Sequence, residues 1–163
     1  MTWKPTEEVA AKARALLIKH EGVRLKAYKC TGGFWTLGVG RNIEARGQGP
    51  DDYPKGISLA TAMQWLDEDI QIAADDVSAW IPGVYEVDEN RQAAFIDFAF
   101  QLGSKKLFGF AKARAAAQAM QWHTAAEEMR DSEWAKQDGR IIRRAPRITG
   151  IIETGFWPKD VTI

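Results

Sequence analysis

The chain has 163 residues, 45% of them hydrophobic, with 22 basic and 22 acidic side chains and a single cysteine. At that length folding buries roughly 70% of the unfolded surface, so no disulfide scaffold is needed to hold a core. A formal net charge of zero argues against a generic nucleic-acid or membrane-surface binder, and one cysteine cannot form an internal disulfide, which suits a reducing compartment or indifference to redox.

The zero conceals a pattern. Residues 1–60 carry ten basic and six acidic side chains, residues 61–100 one and nine, and residues 101–163 eleven and seven. The opening MTWKPTEEVAAKARALL lacks the uninterrupted apolar core of a signal peptide, and no stretch approaches a membrane-spanning run. A soluble cytoplasmic product without stable membrane insertion is expected. If its target lies outside the cytoplasm, a separate agent must release it.

Thr6, followed by Glu7 and Glu8, reads as a helix start: a threonine side chain caps free amides and early carboxylates suit the positive end of the helix dipole. Val9, Ala13, Leu16, Leu17 and His20 keep a three-to-four spacing, so one amphipathic helix runs to Gly22. His20 is read as a helix-end side chain that packs or caps locally, in preference to an acid/base partner of its neighbour Glu21. After Gly22 the pattern becomes β-like, from Arg24 to Tyr28 and from Phe34 to Val39 around Thr31-Gly32-Gly33, which predicts a hairpin. Gly38 and Gly40 mark a bend, a bulge or a close approach to the backbone. Residues 41–56 read as an irregular, insertion-tolerant loop.

From Ser58 a long helix is expected, with Leu59, Met63, Leu66, Ile70, Ala73, Val77 and Trp80 on one stripe and Asp67, Glu68, Asp69, Asp75 and Asp76 on a solvated face rather than at a metal. A helix of that length bridges a small β-containing lobe, about 22–58, to a helical lobe of 81–163 plus the N-terminal helix. Asn90 to Leu102 is apolar nearly all round, as in a buried helix, which makes Asp97 and Gln101, four apart on one face, conspicuous as core hydrogen-bonders or cleft-lining groups. Residues 103–109 read as a connector, Ala111 to Met120 as a helix, and Thr124 with Glu127 as a capping box for another. The tail carries Arg140, Arg143, Arg144 and Arg147, a possible phosphate grip, ahead of a last helix closed by Gly155 and Pro158. No zinc-type spacing, phosphate-binding glycine loop or repeat occurs, so neither metal, cofactor nor nucleic acid is expected.

The chemistry concentrates in EGVRLKAYKCTGGFWT, residues 21–36. A carboxyl at the end of a helix lies at the negative pole of the dipole, which disfavours its ionised form and suits a proton donor. Glycoside hydrolysis requires such an acid and a second group that activates water or stabilises an oxocarbenium-like centre. The hairpin brings Cys30 and Thr36 towards Glu21, and Thr36 can orient a water.

The order Glu21, Cys30, Thr36 resembles the catalytic Glu, Asp-or-Cys, Thr spacing of the phage-type lysozymes, the muramidase endolysins of glycoside hydrolase family 24. HEGVRLKAYKCTGGFWTLGVGR is similar to that family's hairpin, FQLG at Phe100 to Gly103 to its central helix, and RRAPRITGIIETGFW at Arg143 to Trp157 to its C-terminal signature. The resemblance implies an α+β, mostly helical, two-lobed lysozyme fold in one catalytic domain. It implies an endolysin that cleaves the MurNAc to GlcNAc β-1,4 bond of the peptidoglycan glycan strand at the end of a phage cycle. Such a protein acts as a monomer, held in the host cytoplasm until a membrane-permeabilising protein releases it to the wall. Carried over by position, Glu21 is the proton donor, Cys30 takes the second catalytic place and Thr36 holds water; Asn42, Phe100 and Gln101 contact saccharide, and Arg144 faces Glu21. Cys30 stands where many relatives carry Asp, and its role as base, nucleophile or water-positioner stays open. Two alternatives remain: a lytic transglycosylase of the same fold, and an inactive wall-binding phage component.

Overall fold

The computed structural model describes residues 2–138 and 142–163. Arg140 lies outside the described residues. Helix α1 (Glu7–Glu21) starts where the Thr6 hydroxyl accepts the Val9 amide at 3.2 Å, and it stops at Gly22, whose positive φ of 71° turns the chain while its amide donates to Ile18. All five residues of the anticipated stripe, His20 included, are buried.

The β region is larger than the expected hairpin. β1 (Arg24–Lys29), β2 (Trp35–Gly38) and β3 (Arg41–Asn42) form an antiparallel sheet in that order, so a strand begins inside the segment read as loop. Two residues are too few for a periodic signal. What holds β3 is Arg41, buried over the Trp65 ring at 4.5 Å and bonded to Asp69 and Glu68, each at 3.0 Å. Asp69 also binds Arg46 at 3.2 Å, and Asp67 binds Arg14 at 3.0 Å. The acidic run is therefore not a free solvated face, because part of it clamps β3 and α1 to the next helix.

That helix, α2 (Leu59–Trp80), is capped by Ser58 and spans about 33 Å at 1.5 Å per residue. The predicted stripe is buried from Leu66 to Trp80, whereas Leu59 is exposed. Its first half carries the sheet; its last carbonyls, on Ala79 and Trp80, accept from Arg114, a cation at the negative helix end. α3 (Glu89–Phe108) lies against it, with Trp80 at 5.9 Å from Phe95 and 6.2 Å from Phe98, ring centre to centre. The expected connector after residue 102 is a break at one residue only: Gly103, at φ 75°, interrupts the helix, which resumes to Phe108.

α4 (Ala111–Gln118), α5 (Trp122–Arg130), α6 (Glu133–Lys136) and α7 (Arg144–Thr154) complete the helical part. The capping box at Thr124 does not form, because α5 starts two residues earlier. Trp122 packs on Phe95 and beneath the Arg91 guanidinium, 4.7 Å from its ring centre, and this anchorage sets the start. Among the described residues, the tail arginines do not converge on one grip: Arg147 pairs with Asp160 at 2.8 Å, and Arg144 turns inwards.

Candidate active site

Glu21 is the last residue of α1, and its carboxylate sits between two fixed neighbours. Oε2 accepts from Arg144 Nη1 at 2.5 Å. Oε1 faces the backbone of Gly40 so closely that a Cβ there would lie 2.7 Å from it. Gly40 also has φ 65°, so both its conformation and its bareness serve this approach. The sequence signal was a glycine at the end of a strand; the partner turned out to be a side chain of the chain itself.

Cys30 and Thr36 meet across the turn between β1 and β2. The Cys30 amide donates to the Phe34 carbonyl at 3.0 Å and the Gly33 amide donates back to Cys30 at 2.8 Å, which fixes the thiol's backbone. Burial pushes the Cys30 thiol up, but hydrogen bonding from the Phe34 backbone, the Thr36 hydroxyl and the Gly32 and Gly33 backbone outweighs it, leaving the thiol below its ordinary value. Thr36 is buried, and its single proton has two takers. The hydroxyl donates to the Phe34 carbonyl at 2.9 Å, and it also lies where it favours the charged form of the Cys30 sulfur.

Cross-strand register puts Tyr28 and Asn42 directly opposite Thr36, so the three side chains share a face. Burial and then the Glu21 charge raise Tyr28, with Cys30 adding to this and Arg24 opposing. The phenol therefore stays protonated in the neighbourhood that holds both the carboxyl and the thiol. Tyr28 was missed in the sequence; its one legible signal is its position two residues before Cys30 on an alternating strand.

The remaining predicted residues divide. Asn42 and Phe100 line one depression of about 240 Å³ between the sheet and α3, walled also by Gly40, Arg46, Asp76 and Gly103. Asn42 Oδ1 is engaged by the Ala45 amide at 3.0 Å, which leaves its NH₂ group free of that bond. Gln101 lies elsewhere, lining a depression of about 740 Å³ with Lys106, Phe110 and Glu128, and its Oε1 accepts from Trp134 Nε1 at 2.7 Å. Asp97 and Gln101 thus do not act as one face: Asp97 is fully buried, while Gln101, one turn on and two residues before the break at Gly103, is exposed.

Arg144, the first residue of α7, is buried and reaches both Glu21 and Asp97, the latter through Nε at 2.7 Å. The second Asp97 oxygen pairs with His20 Nδ1 at 2.8 Å. His20 packs at the buried end of the helix, as the favoured sequence reading expects, and it is not a direct partner of Glu21; what that reading does not contain is the bond to Asp97, which makes His20 the far end of a chain leading to Glu21. The available signal was its place on the buried stripe, since a histidine in a core needs a polar partner.

Known proteins share this arrangement of sequence. The profile named phage lysozyme matches residues 18–147, a span that contains every residue placed at the site above. The chain is 26% identical over 155 residues to "Probable T4-type lysozyme 1" of Dictyostelium discoideum, covering 83% of this chain and 89% of that protein. It is 25% identical over 156 residues to "Probable T4-type lysozyme 2" of the same organism. It is also 29% identical over 159 residues to "Pre-baseplate central spike protein Gp5" of Enterobacteria phage T4, of which it spans 27%. With a family match over most of its length, and with the helices and small sheet described above, the chain belongs to the phage lysozyme family.

Proposed function

We propose that the protein is a muramidase that hydrolyses the β-1,4 bond between MurNAc and GlcNAc in peptidoglycan. The observation that carries this reading is the seat of Glu21: one oxygen is held by Arg144 and the other lies at the Gly40 backbone, beside the depression lined by Asn42 and Phe100. In this reading the Glu21 carboxyl protonates the glycosidic oxygen, the leaving sugar departs, and an oxocarbenium-like centre develops on the other. Thr36 and Cys30, neighbours across the turn, orient or activate the water that attacks it. Asn42 and Phe100 contact saccharide in the depression they share, Gln101 contacts it only where the strand extends to the separate depression that it lines, and the glycan strand is the partner. No cofactor enters this scheme.

Digestion of purified murein followed by mass spectrometry tests the reaction. Fragments carrying the added water, with reducing MurNAc ends, are expected; anhydro ends would replace the hydrolase with a lytic transglycosylase, and intact murein would leave a wall-binding component.

Cys30 gives a second test. Its lowered thiol supplies more thiolate at neutral pH than a free cysteine would, so Cys30→Asp is expected to keep activity and Cys30→Ala to lose about a hundredfold, as when a positioned acid–base group is removed. Initial rates of murein solubilisation check this, and a Cys30→Ala enzyme with wild-type turnover would remove the thiol from the mechanism. Gly40→Ala is expected to cost about as much by pushing the Glu21 carboxylate out of place, since an ångström of misplacement is worth about a hundredfold. Unchanged kcat in that variant would argue against this seat for the acid.

In the biological setting proposed, the enzyme is a monomeric endolysin that waits in the host cytoplasm and reaches the wall through a separate membrane-permeabilising protein. No helix among the described residues is long and apolar enough to cross a membrane.

A further inference from the structure

Behind Glu21 runs a largely buried hydrogen-bonded chain in which the Arg144 guanidinium stands between two carboxylates and His20 closes the far end. Glu21 Oε2 meets Arg144 Nη1 at 2.5 Å, Arg144 Nε meets Asp97 Oδ1 at 2.7 Å, and Asp97 Oδ2 meets His20 Nδ1 at 2.8 Å. The side chains of Asp97 and His20 are wholly buried and that of Arg144 nearly so. A carboxylate only accepts, so Nδ1 of His20 carries the proton it shares with Asp97. Among the described residues, two buried polar atoms of this chain have no partner: Arg144 Nη2 and His20 Nε2. The groups facing the chain come from every element packed round it: His20 and Glu21 from α1, Asp97 from α3, Arg144 from α7, with Tyr28 of β1 and Cys30 of the adjoining turn on the far side of Glu21.

From this geometry we infer that Asp97 is a positioning residue for the acid: it draws part of the Arg144 charge away from Glu21, and His20 sets how much. The inference rests on the reading of Glu21 as proton donor. A lone arginine against a carboxyl favours the charged form of that carboxyl and hinders it from holding a proton. Here the guanidinium is divided between two carboxylates, so its hold on Glu21 is partial. The division is itself regulated by shape. An arginine and a carboxylate pair best through two parallel hydrogen bonds, which would engage Nη2 as well as Nε. That second bond is not made among the described residues: the Asp97 oxygen that would accept it is turned to His20 instead, and Nη2 stays unpaired. His20 thereby limits Asp97 to one bond with Arg144 and leaves Nη1 aimed at Glu21.

Burial pushes the Asp97 carboxyl up, but Arg144 and His20 together bring it below the ordinary carboxylate range, so it is charged wherever the enzyme works. Arg144 is likewise raised overall: burial lowers it, and the charges of Asp97 and Glu21 overcome that. Neither partner escapes the arrangement by changing charge.

The test is the pH–rate profile on purified murein, recorded as released reducing ends, for the wild type, Asp97→Asn, His20→Leu and Glu21→Gln. A general acid fails on the alkaline side, as it loses its proton. Asp97→Asn returns the whole Arg144 charge to Glu21, so the alkaline limb is expected to move down by about one pH unit, with kcat at neutral pH about tenfold lower and KM within about twofold. His20→Leu frees Oδ2 for Nη2, draws Arg144 further towards Asp97, and is expected to move the same limb up. A merely structural role would lower the melting temperature and leave the limb in place. If Asp97→Asn does not fold, His20→Leu decides alone, its upward shift supporting the inference and an unmoved limb overturning it. Profiles of both variants that superimpose on the wild type overturn it too. An active Glu21→Gln enzyme would instead overturn the identity of the acid, which separates the two failures.

Discussion

Glu21→Gln is expected to abolish lysis of outer-membrane-stripped Gram-negative cells, with turnover at least about a thousandfold below wild type, while the variant stays folded. The size follows from the role: loss of a positioned proton donor is worth roughly a hundredfold to ten-thousandfold, and no other described side chain touching this seat can replace it. Arg144 does not release its proton at working pH, and Tyr28 is raised chiefly by burial, which persists in the variant and keeps the phenol a poor donor. Retained folding is expected because glutamine keeps the shape beside Gly40 and still offers an oxygen to Arg144, whose charge remains balanced by Asp97. Turbidity loss with circular dichroism on the same preparation checks both halves. A folded glutamine variant that lyses cells at the wild-type rate would reject Glu21 as the acid.

Arg144→Leu should produce the largest loss of stability, about 3–5 kcal/mol at neutral pH. Removing one partner from a buried ion pair leaves the other charge uncompensated, and Asp97, with no exposed side-chain surface, would keep only the His20 hydrogen bond. The pH dependence has a definite sign. In the wild type Asp97 is held below its ordinary range, so it contributes stability that is present above the unfolded value and lost as pH falls through the folded one. Without Arg144 the chief influence opposing burial is gone, the Asp97 carboxyl moves upwards, and neutralising it at low pH relieves the variant. The gap between wild type and variant, read from urea unfolding, should therefore be smaller at pH 4 than at pH 7. A gap that does not change between those two values would show that Asp97 is not the charge left stranded.

Much of the architecture was legible because it rests on short-range patterns. The α1 stripe, its Thr6 cap and Gly22 stop, the Ser58 cap of α2 and the buried run of α3 each follow from neighbours within a turn or two. What failed were features held from a distance. β3 exists because Arg41 is anchored on α2, and α5 begins at Trp122 because Phe95 and Arg91 hold that ring. The break at Gly103 was placed but read as too long.

The candidate site divides along the same line. The stretch from Glu21 to Thr36 is local: a helix end, a turn and a strand carry a carboxyl, a thiol and a hydroxyl within 16 residues of chain, and the chemistry they offer could be read from residue type and spacing. By itself the sequence therefore determined which groups are available and which side of the first helix is buried. The tertiary structure decided their surroundings. Arg144 comes from 123 positions away and Asp97 lies 77 positions from His20, distances at which spacing carries no information because only packing brings such residues together. Burial then sets the strength of each interaction, since charges excluded from water act on one another far more strongly than the same charges in solvent. That is why Glu21 could be named from the sequence, whereas the Arg144, Asp97 and His20 chain behind it became visible only once the helices were packed.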